Sequence, residues 1–181
     1  HPDFAEDVEN RRRREEGSTR LRYERLQRLL AGAGPRSPAK AQSILRDQSL
    51  PDGTPLKAHR GTIDAWIAAH SVIFDATDGT FFVSEAPHTL GVYRQYNLHE
   101  VLSGNFEPKE PLPAASLEDR QAEQRGSALR TRLNEGVSPS IAELERMAEQ
   151  FPGFVKVHEA MLQQCATDNC RLRAARNLAR A

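Results

Sequence analysis

Cysteine is nearly absent from this sequence: its 181 residues hold two, Cys165 and Cys170. That is too few for a disulfide scaffold and short of the four-ligand pattern of a structural zinc site. Net charge is absent as well. The 25 Lys and Arg balance 25 Asp and Glu, so no global field of either sign exists to hold nucleic acid or an anionic membrane. Phosphate-backbone binding is therefore disfavoured, and no nucleic-acid partner is expected. Long apolar runs are missing too: nothing approaches the roughly 18 consecutive apolar residues of a membrane-spanning helix. The opening HPDFAEDVEN carries no hydrophobic signal core, so the chain is expected to be soluble as written. What remains is an apolar set of 38%, enough to bury a core, in a length that suits one domain or one plus a small appendage. Because the sequence starts with His1 and not Met, it reads as a processed product or a piece of a longer protein.

Along the chain, Asp3, Glu6, Asp7, Glu9, Glu15 and Glu16 neutralise the run Arg11 to Arg14, which reads as a solvated face. From Ser18 to Ala31, STRLRYERLQRLLA begins with Ser18 as a plausible cap and spaces Leu21, Leu26, Leu29 and Leu30 for a one-sided helix. Ser37 before Pro38 predicts a second short helix over PAKAQSILRD, with Ala41, Ile44 and Leu45 on one face. PDGTP then turns the chain.

Between Thr62 and Pro87 two β-rich runs flank Ala76-Thr77-Asp78-Gly79, predicting a hairpin. The first run, through Ala65, Trp66, Ile67, Ala68 and Ala69 to Val72, Ile73 and Phe74, is more continuously apolar than alternating, as in a strand covered on both faces. A two-stranded ribbon is marginal in water and needs neighbours. Few other strands are evident, so residues 1–105 read as part of a sheet protein whose remaining strands lie elsewhere.

The stretch NFEPKEPLPAAS, with three prolines, reads as a linker over 106–115. Beyond it the pattern is helical: Ser116 to Leu133, then IAELERMAEQ opened by Ser138-Pro139, then Phe154 to Cys165 after Pro152-Gly153, then a last helix capped by Asp168. Residues 116–181 thus form a helical-hairpin module with the shape of tetratricopeptide-type units, though no repeat is duplicated. Cys165 and Cys170, five apart across a helix end, are expected to clip its last two helices in an oxidising compartment.

Few constellations carry chemistry. His70, Ser71 and Asp75 have the residue types of a hydrolytic triad, but neighbours on a strand face opposite ways and no G-x-S-x-G elbow is present. His59, His70, His88 and His99 lack metal-binding spacing, and no glycine-rich phosphate loop occurs, so neither metal nor cofactor is expected. Arg22 and Arg25 lie on one side of the first helix, just after its start, where a guanidinium can order a carboxylate or stabilise developing negative charge.

The order of segments then matters: HP at the start, S-T-R-L-R-Y-E-R-L-Q-R-L-L, S-I-L-R-D, T-I-D-A-W-I-A-A-H-S-V-I-F-D and F-F-V-S-E-A-P-H-T-L-G-V-Y. Over roughly residues 1–100 this set resembles the C-terminal half of the acyl-coenzyme A:isopenicillin N acyltransferase-like family of N-terminal-nucleophile hydrolases. The resemblance implies an α+β chain forming part of a four-layer αββα sandwich, followed by a small helical tail. It also implies a precursor that cuts its own backbone to free a cysteine α-amino group. That thiolate attacks a linear amide or thioester with its own amine as base, through an acyl-enzyme. Neither Cys165 nor Cys170 fits that role, so the nucleophile belongs to an upstream segment of the same precursor, and the chain alone is expected to be inactive.

Carried over residue by residue, Ser18 and Arg22 match the family's polar residue and arginine near the reaction centre, with Arg20 the competing register, and His70 and His88 approach the substrate cleft. The expected partners are that upstream segment and a small-molecule amide or acyl substrate. Exported members of the family and the Cys165–Cys170 clip favour export over a cytoplasmic home. The rival expectation is a non-enzymatic helical protein-interaction module.

Overall fold

The computed structural model describes residues 8, 11–12, 17–32, 34, 36–66, 68–87 and 89–179. Among these, helices α1 (Ser18–Leu30) and α2 (Pro38–Leu45) precede strands β1 (Val72–Asp75), β2 (Thr80–Ser84) and β3 (Tyr93–Asn97). The short α3 (Leu98–Leu102) follows, then α4 (Leu117–Asn134), α5 (Ile141–Gln150), α6 (Val155–Gln164) and α7 (Asp168–Leu178). The architecture is mixed α+β, with one small antiparallel sheet in the order β1-β2-β3.

The hairpin forms where expected. Asp75 Oδ1 accepts the backbone N–H of Thr77 at 3.1 Å, and Gly79 takes the positive φ of 59° that the turn needs. The register pairs Ile73 with Phe82 and Phe74 with Phe81. Among the described residues upstream of Val72 the expected strand does not form. Trp66 is buried, but in the core of the helical segment, so its apolar neighbourhood reflects tertiary packing and not a strand. Ile67 lies outside the described residues. β3 is the strand that sequence reading missed; YRQYN carries neither apolar alternation nor a continuous apolar run.

The sheet has two unlike faces. Ile73, Phe82 and Tyr93 are buried against Ala41 and Leu45 of α2 and against Leu112. On the other face Phe74, Phe81 and Tyr96 form a ladder across the three strands, with ring centroids 5.8 and 5.4 Å apart. Val72 and Phe74 there are 38% and 73% exposed, so β1 is covered on one face and open on the other. The proline-rich stretch runs along the sheet: Tyr93 and Leu112 exchange backbone hydrogen bonds of 3.1 and 3.0 Å, and the Lys109 N–H donates to the Gln95 carbonyl at 2.8 Å.

Capping explains most helix starts. Ser37 accepts the Lys40 N–H with Pro38 in the first turn, Ser116 accepts that of Asp119, and Ser140, not Ser138, accepts that of Glu143. Thr167 caps α7 in place of Asp168, which sits in the first turn. Helices α4 to α7 bury Leu129, Leu144, Met147, Phe151, Val157 and Met161 among themselves, with Trp66 and Ala58 completing that core. The structure joins Cys165 and Cys170 in a disulfide, linking the end of α6 to the first turn of α7.

Candidate functional site

Helix α1 buries no residue; arginines hold it to the chain that follows. Arg25 makes a two-pronged contact with Asp47, Nε to Oδ1 at 2.9 Å and Nη2 to Oδ2 at 2.7 Å, and this hydrogen-bonded carboxylate raises the Arg25 pKa above its usual value. Arg28 donates to the Pro51 carbonyl at 2.7 Å. The expected one-sided leucine stripe is only part of what attaches the helix: Leu21 and Leu29 are half-buried, and Leu26 and Leu30 are exposed.

At the start of α1, Ser18 is the first helical residue and Gly17 the cap. Ser18 does not take the expected capping role because it already lies inside the helix, one residue past Gly17; its hydroxyl instead accepts Arg22 Nη1 at 3.1 Å. Arg22 Nη1 also reaches the Arg60 carbonyl, and Nη2 donates to Thr19 Oγ1 at 3.2 Å. Ser18 and Arg22 are therefore brought together, with the guanidinium plane fixed by three oxygens from two parts of the chain. A cleft of about 370 Å³ opens beside them, lined by Ser18, Arg20, Leu21, Glu24, His59 and Arg60. Arg20, the competing register, faces that cleft and pairs with Glu24 at 2.7 Å, whereas Arg22 turns to the Arg60 carbonyl.

The histidines are placed differently. His70 is exposed just before β1, and among the described residues no hydrogen bond or ion pair joins it to Ser18 or Arg22. His88 lies outside the described residues. Ser71 uses its backbone N–H on Ser84 Oγ at 2.8 Å, and Asp75 serves the hairpin turn, so the two have structural duties. Among the described residues no group of three or more His, Cys, Asp or Glu could hold a metal ion, and no helix is long and apolar enough to cross a membrane.

Three polar residues that sequence reading passed over organise the surroundings. Asp64, fully buried, accepts Gln48 Nε2 at 2.8 Å and Thr89 Oγ1 at 2.7 Å. Arg46 donates to the carbonyls of Thr89, Gly91 and Pro113 at 3.0, 2.9 and 3.1 Å and stacks over the Tyr93 ring. Burial lowers the Arg46 pKa from its usual value, partly offset by nearby Tyr93 and Asp64. Glu123, buried on α4, accepts the Trp66 indole N–H at 2.7 Å. Only the single tryptophan offered a signal in sequence, since a lone buried indole needs an acceptor.

No family model matches this chain, and neither does any curated protein or solved structure.

Proposed function

We propose that this chain is the C-terminal portion of a self-processing cysteine-nucleophile hydrolase or acyltransferase of the N-terminal-nucleophile type, acting on a linear amide or an acyl thioester. The nucleophile comes from an upstream segment of the same precursor. The observation that carries the reading is the two-faced sheet. One face is buried on α2, and the other bares Val72 and Phe74 beside Phe81 and Tyr96, as one layer of a sandwich does when the facing layer is contributed by other residues.

In this reading the bare face receives the sheet of the upstream segment, which completes the four layers. Arg22, permanently charged and held by Ser18, Thr19 and Arg60, supplies the fixed positive group near the scissile bond. The upstream cysteine thiolate forms the acyl-enzyme and expels the amine or thiol, and water or an acceptor amine then takes the acyl group. The chain by itself lacks that nucleophile, because Cys165 and Cys170 are bonded to each other in the helical segment. Among the described residues nothing joins His70 to the Ser18–Arg22 pair, and it does not line the cleft beside them, so a substrate contact by His70 rests on the family resemblance alone.

The test is the intact mass of the protein purified from its native gene, with N-terminal sequencing of every band and labelling by a thiol-directed amide or thioester analogue. A second fragment that starts at cysteine, carries the label and copurifies with this chain supports the enzyme. A single unlabelled product beginning near His1 overturns it and leaves an interaction module built on the helical segment.

A further inference from the structure

We propose that the helical segment is the device that fixes Arg22, acting through the backbone turn from Lys57 to Thr62, with Gly153 and Gly61 as positioning residues; the functional consequence rests on the reading of Arg22 given above. The turn is closed from within. The His59 carbonyl accepts the Thr62 N–H at 3.2 Å and the Thr62 hydroxyl at 2.7 Å, and His59 Nδ1 accepts the Gly61 N–H at 3.0 Å. Such a turn moves as a unit, since any shift of one carbonyl breaks several bonds.

Two elements distant in sequence grip this one turn. From α1, Arg22 donates to the Arg60 carbonyl, and Leu21 packs on Gly61 so tightly that a Cβ there would lie 2.6 Å from Leu21 Cδ1. From the helical segment, the Gly153 N–H donates to the Lys57 carbonyl at 2.9 Å. A Cβ on Gly153 would lie 2.6 Å from both the backbone nitrogen and the Cβ of His59, so backbone there meets backbone with no room for a methyl group. The chain just beyond the turn is held by the same segment: Arg130 Nη1 donates to the Trp66 carbonyl at 2.7 Å, and Phe151 and Phe154 flank the Trp66 ring at 4.5 and 4.9 Å.

The contacts therefore run without a gap from α5–α6, through Gly153 and the His59 turn, to the carbonyl that orients Arg22. An arginine has several free rotors, and its guanidinium goes where its acceptors are. Displacing the Arg60 carbonyl releases the group that the turn now aims, and in a reacting site a misplacement of about 1 Å is enough to matter. The junction of α5 and α6 is thus part of the site's scaffold, and whatever displaces Gly153 or the Trp66 tether regulates the arginine.

The experiment follows the Arg22 guanidinium by nitrogen-resolved magnetic resonance in the full 181-residue chain, with Arg22→Lys to assign the signal. In the parent chain, rotation about the Arg22 guanidinium bonds is expected to be slow, because three oxygens hold it. Gly153→Ala, whose Cβ would run into the His59 backbone, is expected to speed rotation and hydrogen exchange about tenfold, the size that the loss of one charged hydrogen bond implies, and Gly61→Ala, whose nearest neighbours are the side-chain ends of Leu21 and His59, by less. Arg130→Gln, which removes the Trp66 tether and adds no bulk, is the milder variant and shifts the signal the same way even where a glycine variant fails to fold. Cys165→Ser with Cys170→Ser loosens the far end of the segment and leaves Arg22 unchanged.

A folded Gly153→Ala chain with unaltered Arg22 dynamics overturns the proposal. So does an Arg130→Gln chain without a shift, or an equal change in the double serine variant, which would mean general destabilisation. None of these readouts needs turnover. The coupling can therefore fail while the enzyme reading stands, and the enzyme reading can fail while the coupling stands.

Discussion

Trp66 donates its indole N–H to Glu123 at 2.7 Å, and this one bond joins the segment before the hairpin to the middle of α4. The ring is also packed by Phe151 and Phe154 and covered by the Arg130 guanidinium at 5.5 Å. Trp66→Phe keeps much of the ring packing and deletes the donor to a buried carboxylate, so it is expected to cost about 1–3 kcal/mol. Trp66→Ala adds a cavity and is expected to cost about 3–5 kcal/mol. Urea unfolding by circular dichroism measures both. Because this is the only tryptophan, the intrinsic fluorescence of the parent chain reports on the same contact, and a red shift preceding the loss of helicity would show this junction opening first.

The bare sheet face makes a prediction of opposite sign for the isolated chain. Phe74 is mostly exposed, so Phe74→Lys is expected to change stability by less than about 0.5 kcal/mol and to reduce self-association. In protein made from the native gene the same change places a charge against the proposed facing layer and is expected to abolish copurification of the cysteine-bearing fragment. A Phe74→Lys protein that copurifies as well as the parent would remove the sandwich reading of that face.

Much of this layout was legible in the residues, and the failures share a cause. Asp75 to Gly79 announces a hairpin because turn chemistry is local. Ser37-Pro38, Ser116 and the Cys165–Cys170 spacing are local signals of the same kind. Trp66 misled because its burial is decided by residues some sixty to ninety positions away, Glu123, Phe151 and Phe154, which no window of sequence contains. Ser18 misled because the helix starts one residue earlier than its capping signal suggests, with Gly17 in the extended cap conformation. Tyr93 to Asn97 escaped notice because β3 earns its place from neighbours on both edges, β2 and the stretch at Lys109–Leu112. In the candidate site, Arg22 and Ser18 were readable as a pair one helical turn apart, but the Arg60 carbonyl that fixes them was not.

Tyr93 is expected to titrate above the ordinary range of a tyrosine. Burial raises its pKa above the ordinary 10.0, with the nearby Arg46 charge pulling it back in part. An acid whose folded pKa is raised contributes stability that is complete below the unfolded value and is lost as pH rises through the folded one. Alkaline difference absorbance should therefore show a phase from Tyr93 above the ordinary tyrosine range, together with a fall in stability. A Tyr93→Phe chain that lacks the late phase assigns it; one that retains it refutes the assignment.

The disulfide has a local effect that can be separated from the rest. It closes a short loop between Cys165 and Cys170, for which chain entropy gives about 2 kcal/mol. Helix α7 is also attached through buried Ala174, through Arg171 Nε to the Cys165 carbonyl at 3.1 Å, and to α5 by the exposed Arg173–Glu145 ion pair. Reduction is expected to lower the melting temperature and fray α7 while α4 to α6 keep their fold, seen as selective hydrogen exchange over Asp168–Leu178.

The start of α4 carries the acid-sensitive contact. The Asp119 carboxylate accepts the Ser116 hydroxyl at 2.7 Å and faces Lys57 Nζ at 3.5 Å, and the hydrogen bond from Ser116, then the Lys57 charge, hold its pKa below the usual 3.8. For a carboxyl whose folded pKa is depressed, the stabilisation is present above the unfolded value and disappears as pH falls through the folded one. The contact is therefore intact at neutral pH and is lost only below about pH 4. Both side chains of the ion pair are roughly half exposed, so salt screens it and most of the depression belongs to the serine. A carboxyl-resolved titration should place the Asp119 midpoint below 3.8 in the parent chain. Ser116→Ala should move it up by more than Lys57→Met does, while also removing the side-chain acceptor of the Asp119 N–H at the helix cap. A larger shift from Lys57→Met would mean that the charge, and not the cap, sets this end of the helical segment.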